Sequence, residues 1–250
     1  MKEAYEALAK NTANFTALTP LSFLQRTADI YGEREAIIYG DRRYSWRQCN
    51  ERCLQMASSL IELGIDKGDT VAVLAFNTPE MFEAHFFVPM TGAVLNTINT
   101  RLDAETLAYI LDFGEVKALV VDRELLPLTK SALQLTKSDP LLILIDDKTA
   151  LQKPDVELEV IHYEELLQSG DPEFSCPPLE DEWQALSLNY TSGTTGKPKG
   201  VVYHHRGAYL MSMGTAAGWE LPNHPRYLYS VPMFHCNGWG HAWTMTLLAA

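Results

Sequence analysis

The sequence predicts an α/β protein with mostly parallel sheets flanked by helices. Three observations predict it. From about residue 36 onward, short β-rich runs alternate with amphipathic helical stretches. One run, Val71 to Phe76 (VAVLAF), is nearly continuous apolar sequence at strand length, as expected of a strand buried on both faces. Helix start and stop signals fall between the runs, in the βαβα order of a parallel sheet.

Taken in order, Ala36 to Tyr39 reads as a strand. Ser45 then opens a helix, with Gln48 three residues on completing a capping box. Gly64 is placed to end it, because glycine accepts the left-handed conformation that closes a helix. After Val71 to Phe76 comes Thr78-Pro79-Glu80: a capping hydroxyl, a proline at the first helical position and an acid at the positive end of the dipole. Val94 to Ile98 is the next strand, and Asp103 caps a helix that Gly114 stops. Leu119 to Val121, Leu141 to Ile145, Leu186 to Tyr190 and Tyr227 to Val231 read as further strands. Asp171 to Pro178 and Leu221 to Pro225 read as connecting loops. Met245 to Ala250 reads as the interior of an apolar helix without a stop signal, so the chain is expected to be a fragment of a longer protein.

Composition narrows the function. With 250 residues, 46% of them hydrophobic, the chain can bury a large core. A formal net charge of -12 repels polyanions, which argues against nucleic acid as a partner. A phosphate-bearing ligand then needs a locally cationic, N–H-rich spot. Cys49 and Cys53 lie too far apart for a C-x-x-C motif, and no other cysteine pair is close in sequence. Free thiols, no secretory signal pattern and no apolar run of spanning length predict a cytoplasmic protein without a transmembrane segment.

The most informative segment is Tyr190 to Val201, YTSGTTGKPKGV. A strand runs into a loop in which Gly193, Gly196 and Gly200 permit unusual backbone angles, so that N–H groups can converge on an anion. Thr191, Ser192, Thr194 and Thr195 add hydroxyls, and Lys197 and Lys199 add charge. The loop leaves the C-terminal end of a strand, where open α/β sheets bind ligands. It is not a Walker loop: two residues separate Gly193 from Gly196, and Pro198 follows Lys197. A flexible linker is the competing reading, and the two lysines flanking a proline between apolar strands count against it.

YTSGTTGKPKG resembles the signature loop of the adenylate-forming superfamily, which holds acyl-CoA synthetases, luciferases and peptide-synthetase adenylation domains. VAVLAFNTPEMFEAHFFVPMTGAVLNTINTRL (Val71 to Leu102) resembles two upstream blocks of that superfamily, and VPMFHCNGWG (Val231 to Gly240) the block that carries its acyl-pocket histidine. The resemblance spans the chain from about residue 20 onward. It implies that residues 1–250 are the N-terminal part of the large adenylation domain, incomplete at its C-terminal end, with a C-terminal lid domain absent.

It further implies that Thr191, Ser192, Gly193, Thr194, Thr195, Gly196, Lys197 and Lys199 contact the β- and γ-phosphates of ATP, with Thr191 near Mg2+. His235 would orient the acid's carboxylate as the catalytic residue, and Cys236, Asn237, Gly238 and Trp239 would shape the acyl pocket with it. The implied activity is conversion of a short- or medium-chain fatty, thioether or aryl acid to acyl-AMP and then, with coenzyme A, to acyl-CoA. The adenine and ribose sites and the mobile lysine cannot be placed before Ala250, so the 250 residues alone are expected to be nearly inactive. A homodimer is an open expectation for the full-length protein. The alternative is a truncated, non-catalytic nucleotide-binding or interaction module. His204 and His205 are read as adjacent strand residues facing opposite ways, hence structural; Cys49 and Cys53 as core packing; Trp183 as an anchoring aromatic.

Overall fold

Every residue of β3 (Thr70–Leu74) is buried, and its side chains alternate between two cores. Val71 and Val73 point into one apolar cluster, Ala72 and Leu74 into the other. This strand is central in a seven-stranded sheet of order β7-β6-β5-β3-β4-β8-β9. The other strands are β4 (Val94–Thr97), β5 (Val116–Asp122), β6 (Leu141–Ile145), β7 (Ile161–His162), β8 (Ala185–Tyr190) and β9 (Gly200–His204). All neighbours are parallel except the hairpin pair β8 and β9. β1 (Glu35–Tyr39) and β2 (Arg42–Ser45) form a separate antiparallel pair. This computed structural model describes Tyr5 and residues 7–191 and 196–250.

Helices cover both faces. α1 (Leu21–Tyr31), α2 (Trp46–Glu62), α3 (Pro79–Met90), α6 (Tyr163–Ser169), α7 (His205–Gly218) and α8 (His241–Leu247) contribute to the first cluster. α4 (Ala104–Phe113) and α5 (Leu126–Leu133) cover the second. The start signals work as read. Ser45 and Gln48 form the reciprocal capping box, Thr78 Oγ1 accepts from the Met81 N–H, and an Asp103 carboxylate oxygen accepts from the Thr106 N–H. After α2, Gly64 takes φ +87 and the Ile65 N–H reaches back to the Leu60 carbonyl, closing the helix. α3 is buried at all twelve positions, so it is a core helix rather than an amphipathic one.

Three expectations need correction. Tyr227 to Val231 is not a strand. Its carbonyls are claimed by a side chain: Asn77 Nδ2 donates to the Tyr229 and Val231 oxygens, both at 3.0 Å, in place of a ladder. His205 is not a strand residue. β9 ends at His204, whose ring nitrogen accepts from the Gly207 N–H at 2.8 Å and so caps α7, which His205 begins. Both histidines still act structurally, since His205 Nδ1 bonds Thr19 Oγ1 at 2.8 Å. Met245 to Ala250 is not helix interior. α8 stops at Leu247, Ala249 takes φ +50, and the Ala250 N–H closes on the Met245 carbonyl.

Other readings hold. All four cysteines are free, with Cys49 and Cys53 fully buried between helices. Trp183 stacks on His204 at 4.1 Å between ring centroids, just ahead of β8. No helix among the described residues is long and apolar enough to cross a membrane.

Candidate functional site

The parallel strands put the ends of β3, β4 and β8 on one side of the sheet. Three features meet there. The first is the loop between β8 and β9. The Thr191 N–H donates to the Lys199 carbonyl at 3.0 Å, and the Lys199 N–H returns to Thr191 Oγ1 at 3.3 Å. The loop is therefore the tip of a hairpin whose ends are pinned together. Its descending arm leans on α4: Lys197 Nζ lies 4.8 Å above the Tyr109 ring, and the Tyr109 hydroxyl donates to the Pro198 carbonyl at 3.4 Å. At Gly200 the fit is tight: a Cβ there would stand 3.0 Å from Leu188 Cδ1, which would have to give by a few tenths of an ångström. Ser192, Gly193, Thr194 and Thr195 lie outside the described residues. Thr191, Gly196, Lys197 and Lys199 are placed together at the tip, on the exposed surface.

The second feature is segment 229–234, which crosses the ends of β3 and β4. Asn77, just past β3, grips it three ways, with two amide donations and one accepted bond from the Met233 N–H at 2.8 Å. Thr97, the last residue of β4, donates to the Phe234 carbonyl at 2.8 Å. A crevice of about 330 Å³ lies beneath, lined by Phe76, Asn77, Thr100, Arg101, Ser230, Pro232 and Phe234.

The third feature is the turn that follows. Cys236, Asn237, Gly238, Trp239 and Gly240 all have positive φ, between 45° and 68°. Successive left-handed residues are rare, since each L-residue pays roughly 1–2 kcal/mol for the conformation. Strain of this kind concentrates at functional sites. Glycine suits position 240, where φ is +68 and a Cβ would displace the flexible end of Met211, whose Cε would lie 1.9 Å away. His235, Cys236 and Trp239 are exposed, while Asn237 and Gly238 are buried. Cys236 Sγ lies 3.6 Å from His235 Nδ1. Burial, with Cys236 alongside, raises the phenol of Tyr203 on β9.

Behind the turn is a buried polar layer that sequence reading did not single out. Ser187 and Asn189, two apart on β8 and so on one face, both reach Asn237. The only signal for them was polar side chains inside apolar runs, LSLNY in β8 and VLNT in β4. His85 of α3 is buried behind this layer. Burial holds its imidazole down to about 4, against the opposing pull of the Met81 and Asn237 carbonyls. A larger cavity of about 600 Å³ opens between β1 and residues 224–229; Asn77, Tyr229 and Met233 line it as well, but none of the sequence-predicted site residues does. Among the described residues no group of three His, Cys, Asp or Glu side chains could hold a metal.

The profile of the AMP-binding enzymes matches residues 24–250. The chain belongs to that family. Among its AMP-binding relatives, an acetate–CoA ligase of Humulus lupulus is 47% identical, over 95% of this chain and 44% of its own length. A peroxisomal trans-cinnamate:CoA ligase of Petunia hybrida is 48% identical over 95% of this chain and 44% of its own. Among solved structures, an o-succinylbenzoate–CoA synthetase of Bacillus subtilis with its acyl-adenylate intermediate superposes at a TM-score of 0.73. It is 25% identical, and the match covers 94% of this chain and 55% of that one. The chain thus spans less than half the length of these two curated AMP-binding relatives.

Proposed function

We propose that the native-length protein activates a small carboxylic acid with ATP, giving acyl-AMP and pyrophosphate, and then transfers the acyl group to coenzyme A. The observation that carries this reading is the pairing of two features at one end of the sheet. A pinned, lysine-bearing hairpin tip suits phosphate, and a left-handed turn beside it presents His235 and Trp239. Family membership and the acid–CoA ligases among the relatives support it.

A carboxylate is a poor electrophile because its charge repels nucleophiles and oxide is a poor leaving group. Attack of its oxygen on the α-phosphorus of ATP forms a mixed anhydride and expels pyrophosphate. The carbonyl carbon can then lose AMP to a thiol. In the first step the protein's task is positioning and charge neutralisation. Lys197 and Lys199 supply positive charge to the phosphates, and the loop N–H groups and hydroxyls supply donors. Lys197 must leave the Tyr109 face to do so. Thr191 offers one hard, exposed hydroxyl oxygen, which suits Mg2+ held chiefly by phosphates and water. That ion would neutralise phosphate charge. His235 and Trp239 orient the acid, and Cys236 flanks them. The acid is small and aliphatic or aryl, after the acetate, butyrate, benzoate and cinnamate named for the relatives.

The adenine-, ribose- and lid-borne parts of the site are assigned to sequence outside these 250 residues, which alone form little acyl-adenylate. The expected compartment is the cytoplasm, on the strength of four free thiols, although some relatives are named as peroxisomal. Dimerisation of the native-length protein is read by sedimentation. The activity is tested with a carboxylate panel scored by pyrophosphate release. Release that depends on both acid and ATP supports the proposal. Nucleotide binding without acid-dependent release overturns it in favour of a binding module.

A further inference from the structure

Asn237 is the buried member of an otherwise exposed stretch. His235, Cys236 and Trp239 face solvent, yet Asn237 is 0% exposed and its amide is almost fully engaged. Oδ1 accepts from Ser187 Oγ at 2.8 Å and from Asn189 Nδ2 at 2.6 Å. Nδ2 donates to Thr97 Oγ1 at 3.3 Å, and that hydroxyl donates onward to the Phe234 carbonyl. Thr97, Ser187 and Asn189 are themselves buried, so water does not compete for these bonds.

We infer that Asn237 is a positioning residue for the acid side of the site, its amide clamping the left-handed turn that carries His235 and Trp239 onto the strand that feeds the phosphate loop. The inference rests on the proposed reading of His235 and Trp239 as acid-side groups. Its geometry comes from β8. Ser187 and Asn189 share one face of that strand, and β8 runs directly into Thr191. The turn therefore rests on the strand that leads into the phosphate loop. The same network reaches β4 through Thr97, so the turn and segment 229–234 are tied to one polar layer.

Asparagine also tolerates positive φ better than other non-glycine residues, and that alone would explain its presence at φ 45°. Glycine separates the two roles. Asn237→Gly keeps the backbone conformation and deletes the clamp. In the native-length protein, Asn237→Gly is expected to raise the acid KM about tenfold, the scale of one lost buried hydrogen bond, with the ATP KM changed less than about twofold. Amide exchange of Gly240, whose N–H bonds the Asn237 carbonyl at 3.0 Å, is expected to accelerate about tenfold while exchange in β3 and β5 stays unchanged. Ser187→Ala removes one contact and no backbone tolerance. It should act in the same direction more weakly, and it decides the matter if the glycine variant does not fold. The two substitutions together should fall short of additive. Wild-type acid KM and wild-type Gly240 exchange in Asn237→Gly, or in Ser187→Ala where that variant decides, overturn the inference. If the wild-type protein turns over no acid, the ligase reading fails, and the exchange measurement, which needs no turnover, still decides whether Asn237 clamps the turn.

Discussion

The two halves of the large sheet are joined by different chemistry. On one side, β5 pairs with β3 and with β6 over five residues each, and apart from Thr70 and Asp122 the paired side chains are Val, Leu, Ile and Ala. On the other side, β4 and β8 share a single paired position, Leu95 with Ser187. Side chains stitch the rest of that seam: Asn96 Nδ2 donates to the Leu188 carbonyl at 2.8 Å, and Thr97 and Asn189 meet Asn237. The apolar half can be strong because burial is non-directional and tolerant of detail. The polar half depends on each donor finding its acceptor, which costs stability when one fails but holds groups in one geometry. The candidate site lies on the polar half.

The largest expected effect comes from breaking a charge pair whose carboxylate is fully buried beneath the helices that cover the first apolar cluster. Arg52 Nε lies 2.6 Å from Glu83 Oε1, and the Tyr163 hydroxyl donates to the same carboxylate at 2.8 Å. Burial raises the Glu83 carboxyl, and Arg52 and Tyr163 oppose that. Arg52→Ala strands the carboxylate and should cost about 3–5 kcal/mol in chemical denaturation. A loss below about 1 kcal/mol would mean that Glu83 reaches water or takes up a proton at little cost.

Acid should weaken the polar half next. His85 lies behind the turn and His205 ties α7 to Thr19; burial lowers both from the ordinary 6.5 to about 4. Above pH 6.5 each is neutral folded or unfolded, and no stability is lost. Between 6.5 and 4 the unfolded chain takes up protons that the fold refuses, so each histidine withdraws up to about 1.4 kcal/mol per pH unit. Asp122, pushed up to about 6 by burial, acts the other way between 6 and 3.8. Two histidines outweigh it. The denaturation midpoint should fall from pH 7 to pH 5, with a shallower fall in His205→Gln. An unchanged slope would show that His205 protonates inside the fold.

Much of this division was legible in the residues. The apolar half announced itself in VAVLAF and LLILI, because a strand buried on both faces has no other pattern to show. The caps at Ser45, Thr78 and Asp103 were readable because capping is local, reaching three residues. Tyr227 to Val231 was misread because its composition suits a strand while its partner is a side chain some 150 residues away, and no local signal reports Asn77. The polar layer was missed for the same reason. Ser187 and Asn189 look like ordinary polar positions until the fold brings Asn237 against them. The left-handed turn was hidden as well, since only two of its five residues are glycine.

The central claim is that the apolar half carries stability and the polar seam carries the site. Thr97→Val tests it most directly, since it keeps the shape of the side chain and removes the hydroxyl that joins Phe234 to Asn237. In the native-length protein, stability and acid-dependent pyrophosphate release would be measured on the same samples. The account predicts a stability loss of about 1 kcal/mol with a fall of about tenfold or more in kcat/KM for the acid. Full activity at wild-type acid KM, with the stability loss alone, would contradict it.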